Sequence, residues 1–187
     1  MERFQELERG AAYFFGLQRM LIVLHPEGRD VYRVLVIGRR RLPEPVGRRR
    51  VRGYVESAYR DPAQLLRELQ GLGPTGEGAY DFTRHEDHVH WTFELTSGRR
   101  GAYLILGRDP KAALAPRLDP RQPELELGLP VRTRTWTALS SPSALDAPGA
   151  EFVLAGARAD PGLRIAAFAM PPPPLWKPGG SHGILPA

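Results

Sequence analysis

There is no cysteine anywhere in the 187 residues, which excludes disulfides and thiolate metal sites together. Lysine is almost as scarce: 24 of the 26 basic residues are arginine, a skew expected of a GC-rich or heat-adapted source. Long apolar runs are missing too. Met20 to Leu24 is the longest near the start and is far too short to span a bilayer. The opening MERFQELERG mixes acids and bases and does not resemble a signal peptide. These absences predict a soluble cytoplasmic protein without a membrane partner. Nor is there a phosphate-cradling loop, because the GLGPTGEG stretch has neither a lysine nor a following helix. Ser140, Ser141 and Ser143 lie in a proline-containing loop with no nearby histidine, so a nucleophilic triad has no support.

What the chain has in quantity is turn residues, 20 glycines and 19 prolines, and these argue for many short strands. The length suits one domain, placed at 1–170, followed by a Pro-rich tail at 171–187. Phe4, Leu7, Ala11 and Phe14 recur at helical spacing, so a first helix closing at Gly16 is expected. Met20 to His25 and Val31 to Gly38 flank PEGRD as a hairpin, and the unbroken run Val34–Ile37 reads as a central strand. Residues 49–59 form the next strand. Asp61 and Pro62 then open a helix whose buried stripe is Leu65, Leu66, Leu69 and Leu72. Residues 71–79 read as a loop. Val89, Trp91, Phe93 and Leu95 face inward on an amphipathic strand, and a strand at 101–107 follows.

Asp109 and Pro110 repeat the helix opening, and the Arg-Gly then Arg-Asp-Pro pattern recurs after 48 positions. That spacing admits a duplicated ββα unit, although the residues involved are common ones. Strands are expected at 131–139, at 151–157 and at 163–170, the last two paired as a hairpin, with a loop at 140–150. The fold class is therefore α+β: mainly antiparallel sheet, two or three short helices, and an extended polyproline tail. Leu175 and Trp176 in that tail are candidate partner-binding anchors.

Charge is concentrated. Between Arg39 and Arg60 eight arginines stand against two acids, hence +6, while the whole chain carries only +5. Arg39, Arg40 and Arg41 precede the turn PEPVG, and Arg48, Arg49, Arg50 and Arg52 follow it. On a strand, Arg48, Arg50, Arg52 and Tyr54 share one face about 7 Å apart, with Val51 and Val55 opposite. Such a hairpin can contact phosphate, and Tyr54 is placed to stack on a base. Arg132, Arg134 and Trp136 form a second basic-aromatic stripe, though tryptophan on a strand more often lies in a core.

Three of the five histidines, His85, His88 and His90, lie within six residues beside Asp81, Glu86 and Asp87. Imidazole and carboxylate suit a divalent metal, but H-x-x-H-x-H is not the helical spacing of a zincin. His90-Trp91-Thr92-Phe93 resembles one half of the two-histidine phosphodiesterase motif. That family needs two halves, and His25 and His182 supply no second one. The leading expectation is a non-enzymatic nucleic-acid-binding protein using the Arg39–Tyr54 hairpin, with no resident cofactor. The alternatives are an assembly subunit binding protein neighbours through hairpin and tail, and a small metal-dependent enzyme using the histidines.

Overall fold

The computed structural model describes residues 4–16, 19–38, 42, 50–108 and 136–156. These form nine strands and one α-helix: β1 (Phe4–Gly16), β2 (Met20–Pro26), β3 (Tyr32–Ile37), β4 (Arg50–Tyr59), α1 (Pro62–Glu68), β5 (Gly76–His85), β6 (His88–Leu95), β7 (Arg100–Arg108), β8 (Trp136–Ala138) and β9 (Glu151–Gly156). A 3-10 turn spans Pro142–Asp146. Every strand pairing is antiparallel.

The sheet closes on itself. β1 to β4 form a meander, β5 returns to the free edge of β1, and β6 and β7 follow it round. β9 then enters between β4 and β7, completing a ring of eight strands. β8 pairs with the end of β7, at Arg108 and Trp136, where β6 has run out. Closure removes the sheet edges that an open structure leaves exposed.

Three expectations are corrected. The first concerns fold class: the described residues form a closed eight-stranded barrel with a single α-helix, where an antiparallel sheet with two or three short helices was expected. Phe4–Gly16 is a strand, and its hydrogen-bonded partners on both sides, β2 and β5, settle this. The proposed repeat would need a second helix at Asp109, which lies outside the described residues. The second is the hairpin between β9 and 163–170. Both edges of β9 are taken, by β4 and β7, while residues 163–170 are themselves outside the described set. Third, β5 begins at Gly76, inside the stretch expected to be loop.

The predicted capped helix is present. Asp61 accepts a hydrogen bond from the Ala63 amide at 2.9 Å, and Pro62 occupies the first turn. Its Leu65 and Leu69 pack on Ala11, Tyr13, Phe15, Val23 and Val34, the outer sides of β1, β2 and β3. Leu66 is partly buried there, and Leu72 is exposed. The barrel interior holds a second core in which Phe14, Tyr80, Phe82, Trp91, Phe93, Tyr103 and Phe152 meet the aliphatics of β2, β3 and β4. β3 is buried throughout because it lies between these cores.

Glycine sets how closely the strands approach. A Cβ on Gly78 would overlap the Glu94 carbonyl oxygen of β6, whereas one on Gly73 would meet nothing within 4 Å. Gly78→Ala should therefore cost about 3 kcal/mol or more, since backbone rather than a side chain must move. Gly73→Ala should stay within about 0.5 kcal/mol of the parent. Urea melts of the two variants check this contrast.

Candidate phosphate-binding face

Val51 and Val55 belong to the interior core, so alternation along β4 turns Arg50, Arg52 and Tyr54 outward. β9 lies beside β4 with Glu151 opposite Tyr54, and β7 and β8 follow with Arg108 opposite Trp136. Glu151 ties the group together. Its carboxylate accepts from Arg52 at 2.5 Å and from Arg108 at 2.9 Å. The Arg52 guanidinium also lies over the Trp136 ring, 5.5 Å from its centroid. Arg50 is exposed. Counting Arg50, three guanidiniums against one carboxylate leave +2.

The face thus keeps the expected alternation for Arg50, Arg52 and Tyr54, with one difference. Tyr54 is only 7% exposed. Burial, followed by the neighbouring Glu56 carboxylate, raises its phenol above the usual value, while Arg19 acts in the opposite direction. A buried ring has little surface for stacking on a base, and Trp136, half-buried at the rim, is the aromatic of this face. Arg39, Arg40, Arg41, Arg48, Arg49, Arg132, Arg134, Leu175 and Trp176 lie outside the described residues. Arg108 and Glu151 were not singled out in the sequence. They join the face only through the pairing of β9 with β4 and β7.

His85, His88 and His90 all lie on the outer side near the β5–β6 turn, where His85 pairs with His88. His85 stacks on Phe4 with ring centroids 4.4 Å apart, and the His85 and His90 rings are 6.4 Å apart. His88 is exposed and its Nε2 is 3.3 Å from Asp87. Among the described residues no group of three histidine, aspartate or glutamate side chains converges to hold a metal. The hydroxyl of Thr92 donates to Asp81. Burial lifts the Asp81 carboxyl above its ordinary range, and the hydrogen bonds from Thr92 and Thr83 offset only part of that.

The densest charge cluster was not anticipated. Arg33, in the middle of the apolar β3 run, has a fully buried side chain. It donates to both oxygens of Glu8, at 2.5 and 3.0 Å, and through Nε to Asp146 at 2.7 Å. Tyr80 donates to Glu8 at 3.0 Å, and Arg29 to Asp146 at 2.7 Å. Burial opposes the Arg33 charge, yet the Glu8 and Asp146 carboxylates hold its pKa above the ordinary value. Burial, then Glu8, pushes the Tyr80 phenol well up. This network pins the 3-10 turn across one barrel mouth, where Leu145 is 1% exposed and joins the interior core. Outside it lies an open cleft of about 370 Å³ walled chiefly by Glu6, Arg9, Glu27, Arg29, Ser141 and Ser143. The wall cations are already paired, Arg9 with Glu27 at 2.6 Å and Arg29 with Asp146. The one available sequence signal was a lone arginine inside the run VYRVLVIG.

Compared with models of protein families, with curated proteins and with solved structures, the chain finds no match. Among the described residues no helix is long and apolar enough to cross a membrane.

Proposed function

We propose that this barrel is a binding protein that contacts nucleic-acid phosphate through the outer face of β4, β9, β7 and β8. One observation carries the reading. Arg50 and Arg52 stand outward beside Arg108 and Trp136, and residues 39–49, which link β3 to β4, add five further arginines against one acid. Glu151 holds Arg52 and Arg108, whose side chains are only 11% and 22% exposed, so the exposed Arg50 is the guanidinium of this face that phosphate reaches most readily. Guanidiniums read phosphate charge rather than base identity, so the expected binding is strongly salt-dependent and weakly sequence-specific.

The test is fluorescence anisotropy with labelled single-stranded DNA, duplex DNA and RNA at two salt concentrations. An Arg48→Glu/Arg49→Glu/Arg50→Glu variant is measured in parallel. It spares the Arg52–Glu151–Arg108 contacts, so its melting temperature should be that of the parent. Each lost phosphate contact should reduce the salt slope by about 0.7–0.9. The variant should therefore show a slope smaller by about two and a large loss of affinity at low salt. Absence of low-salt binding to all three probes by the parent would overturn the proposal.

A further inference from the structure

Phosphate binding alone does not explain Trp136. An indole adds no charge, and a tryptophan on a strand ordinarily turns into a core. Trp136 belongs to neither hydrophobic core of the described residues and is only partly buried. It opens β8 opposite Arg108. The Arg52 guanidinium lies over one face of its ring, 5.5 Å from the centroid. Glu151 holds that guanidinium and also the one on Arg108. The ring is thus set in place by a charged frame that leaves it on the outer side of the sheet.

We infer that Trp136 is a base-stacking platform, so that the nucleic acid taken by this face is a single strand and not a duplex. The inference rests on the phosphate-binding reading above and names the ligand class within it. In a duplex the bases cover one another's faces, and only backbone and groove edges meet a protein surface. In a single strand each base offers a π-face, and stacking on an aromatic ring is tolerant of sequence. The side chains divide these two tasks. Arg50 is exposed and meets phosphate, whereas Arg52, engaged by Glu151, serves the ring. The pairing also sets the length of the ligand. Arg50 is opposite Ala155, and Ala155 is opposite Leu104, while Trp136 is opposite Arg108. Arg50 and Trp136 therefore stand three strand spacings apart, about 14 Å across the sheet and about 13 Å along it. A mononucleotide engages one of them. An oligonucleotide lying obliquely over β4, β9, β7 and β8 engages both.

The test compares the full chain with Trp136→Leu, which keeps apolar bulk without a π-face, and with Trp136→Phe. The probes are a labelled single-stranded oligothymidylate, its oligouridylate counterpart, an abasic strand with the same number of phosphates, and a duplex. Stacking on one aromatic side chain is worth about 5- to 150-fold per base. Trp136→Leu should therefore lose at least about fivefold in affinity for the two base-bearing strands. Its affinities for the abasic strand and the duplex should stay within about twofold of the parent, and Trp136→Phe should restore most of the loss. A purely structural role for Trp136 would instead weaken all four probes alike, and that result overturns the inference. So does unchanged binding of the base-bearing strands by Trp136→Leu. Should Trp136→Leu fail to fold, the parent decides: equal affinity for abasic and base-bearing strands overturns the inference, and a preference of at least about fivefold for the latter supports it. Equal, salt-dependent binding of every probe by the parent removes this inference and leaves the phosphate reading standing, whereas binding to none removes both.

Discussion

Glu8→Ala should remove about 3–5 kcal/mol of stability, one of the largest losses available from a single side chain here. The reason is what stays behind. Arg33 is fully buried and donates two of its three described hydrogen bonds to Glu8, so truncation leaves a guanidinium inside the barrel with Asp146 as its remaining described acceptor. Tyr80 loses its acceptor as well. Arg33→Met should be costly for the converse reason, and the Glu8→Ala/Arg33→Met double variant should lose less than the sum of the two, because neither charge is then stranded. Urea melts of the three proteins measure this.

The same cluster gives stability a pH dependence with a definite sign. Burial works to raise the Asp146 carboxyl, but the hydrogen bonds from Arg29 and Arg33 hold it below its ordinary range. A depressed folded-state pKa contributes stability that is present above the unfolded value of about 3.9 and is lost as pH falls through the folded value. The barrel should therefore lose stability on acidification below about pH 4, and Asp146→Asn should flatten that dependence. Asp81 acts in the opposite direction over its own range, since its pKa is raised. The Asp146→Asn comparison isolates one contribution from the other.

How far the fold could be read from the residues depended on whether the deciding interactions were local. The Asp61-Pro62 cap, the β2–β3 hairpin and the inward face of β6 rest on neighbours in sequence, and all are present. β1 misled for a physical reason. Its Ala12 and Phe14 face the barrel interior while Ala11, Tyr13 and Phe15 lie under α1, so no two-residue alternation survives. A register shift between Glu6 and Glu8 breaks the period again, leaving a chance helical spacing. Barrel closure could not be read at all, because β9 meets β4 across about a hundred residues of chain. The Arg33 cluster is equally non-local, its partners lying 25 and 113 positions away. The candidate phosphate-binding face was legible in half: the arginines of β4 announced themselves, whereas Arg108 and Glu151 acquired meaning only from pairing.

Trp91→Ala should cost about 3–5 kcal/mol, but Trp91→Phe much less. Trp91 is 2% exposed and sits among Phe93, Tyr103 and Phe14, with ring centroids 5.1, 5.9 and 6.2 Å away. Removing the indole opens a cavity at the centre of a closed barrel, where the surrounding strands cannot collapse without breaking the ring. Phenylalanine keeps most of the aromatic contact and deletes an indole N–H that is buried without a hydrogen-bond partner. Leaving such a group unsatisfied costs about 1–3 kcal/mol, so its removal offsets part of the lost packing. Thermal melts followed by far-UV circular dichroism should place the phenylalanine variant close to the parent and the alanine variant far below. Because Trp91 faces inward and Arg50 outward, the phenylalanine variant should also bind nucleic-acid probes as the parent does. A loss of binding in that variant at unchanged melting temperature would place the ligand inside the barrel instead of on its outer face.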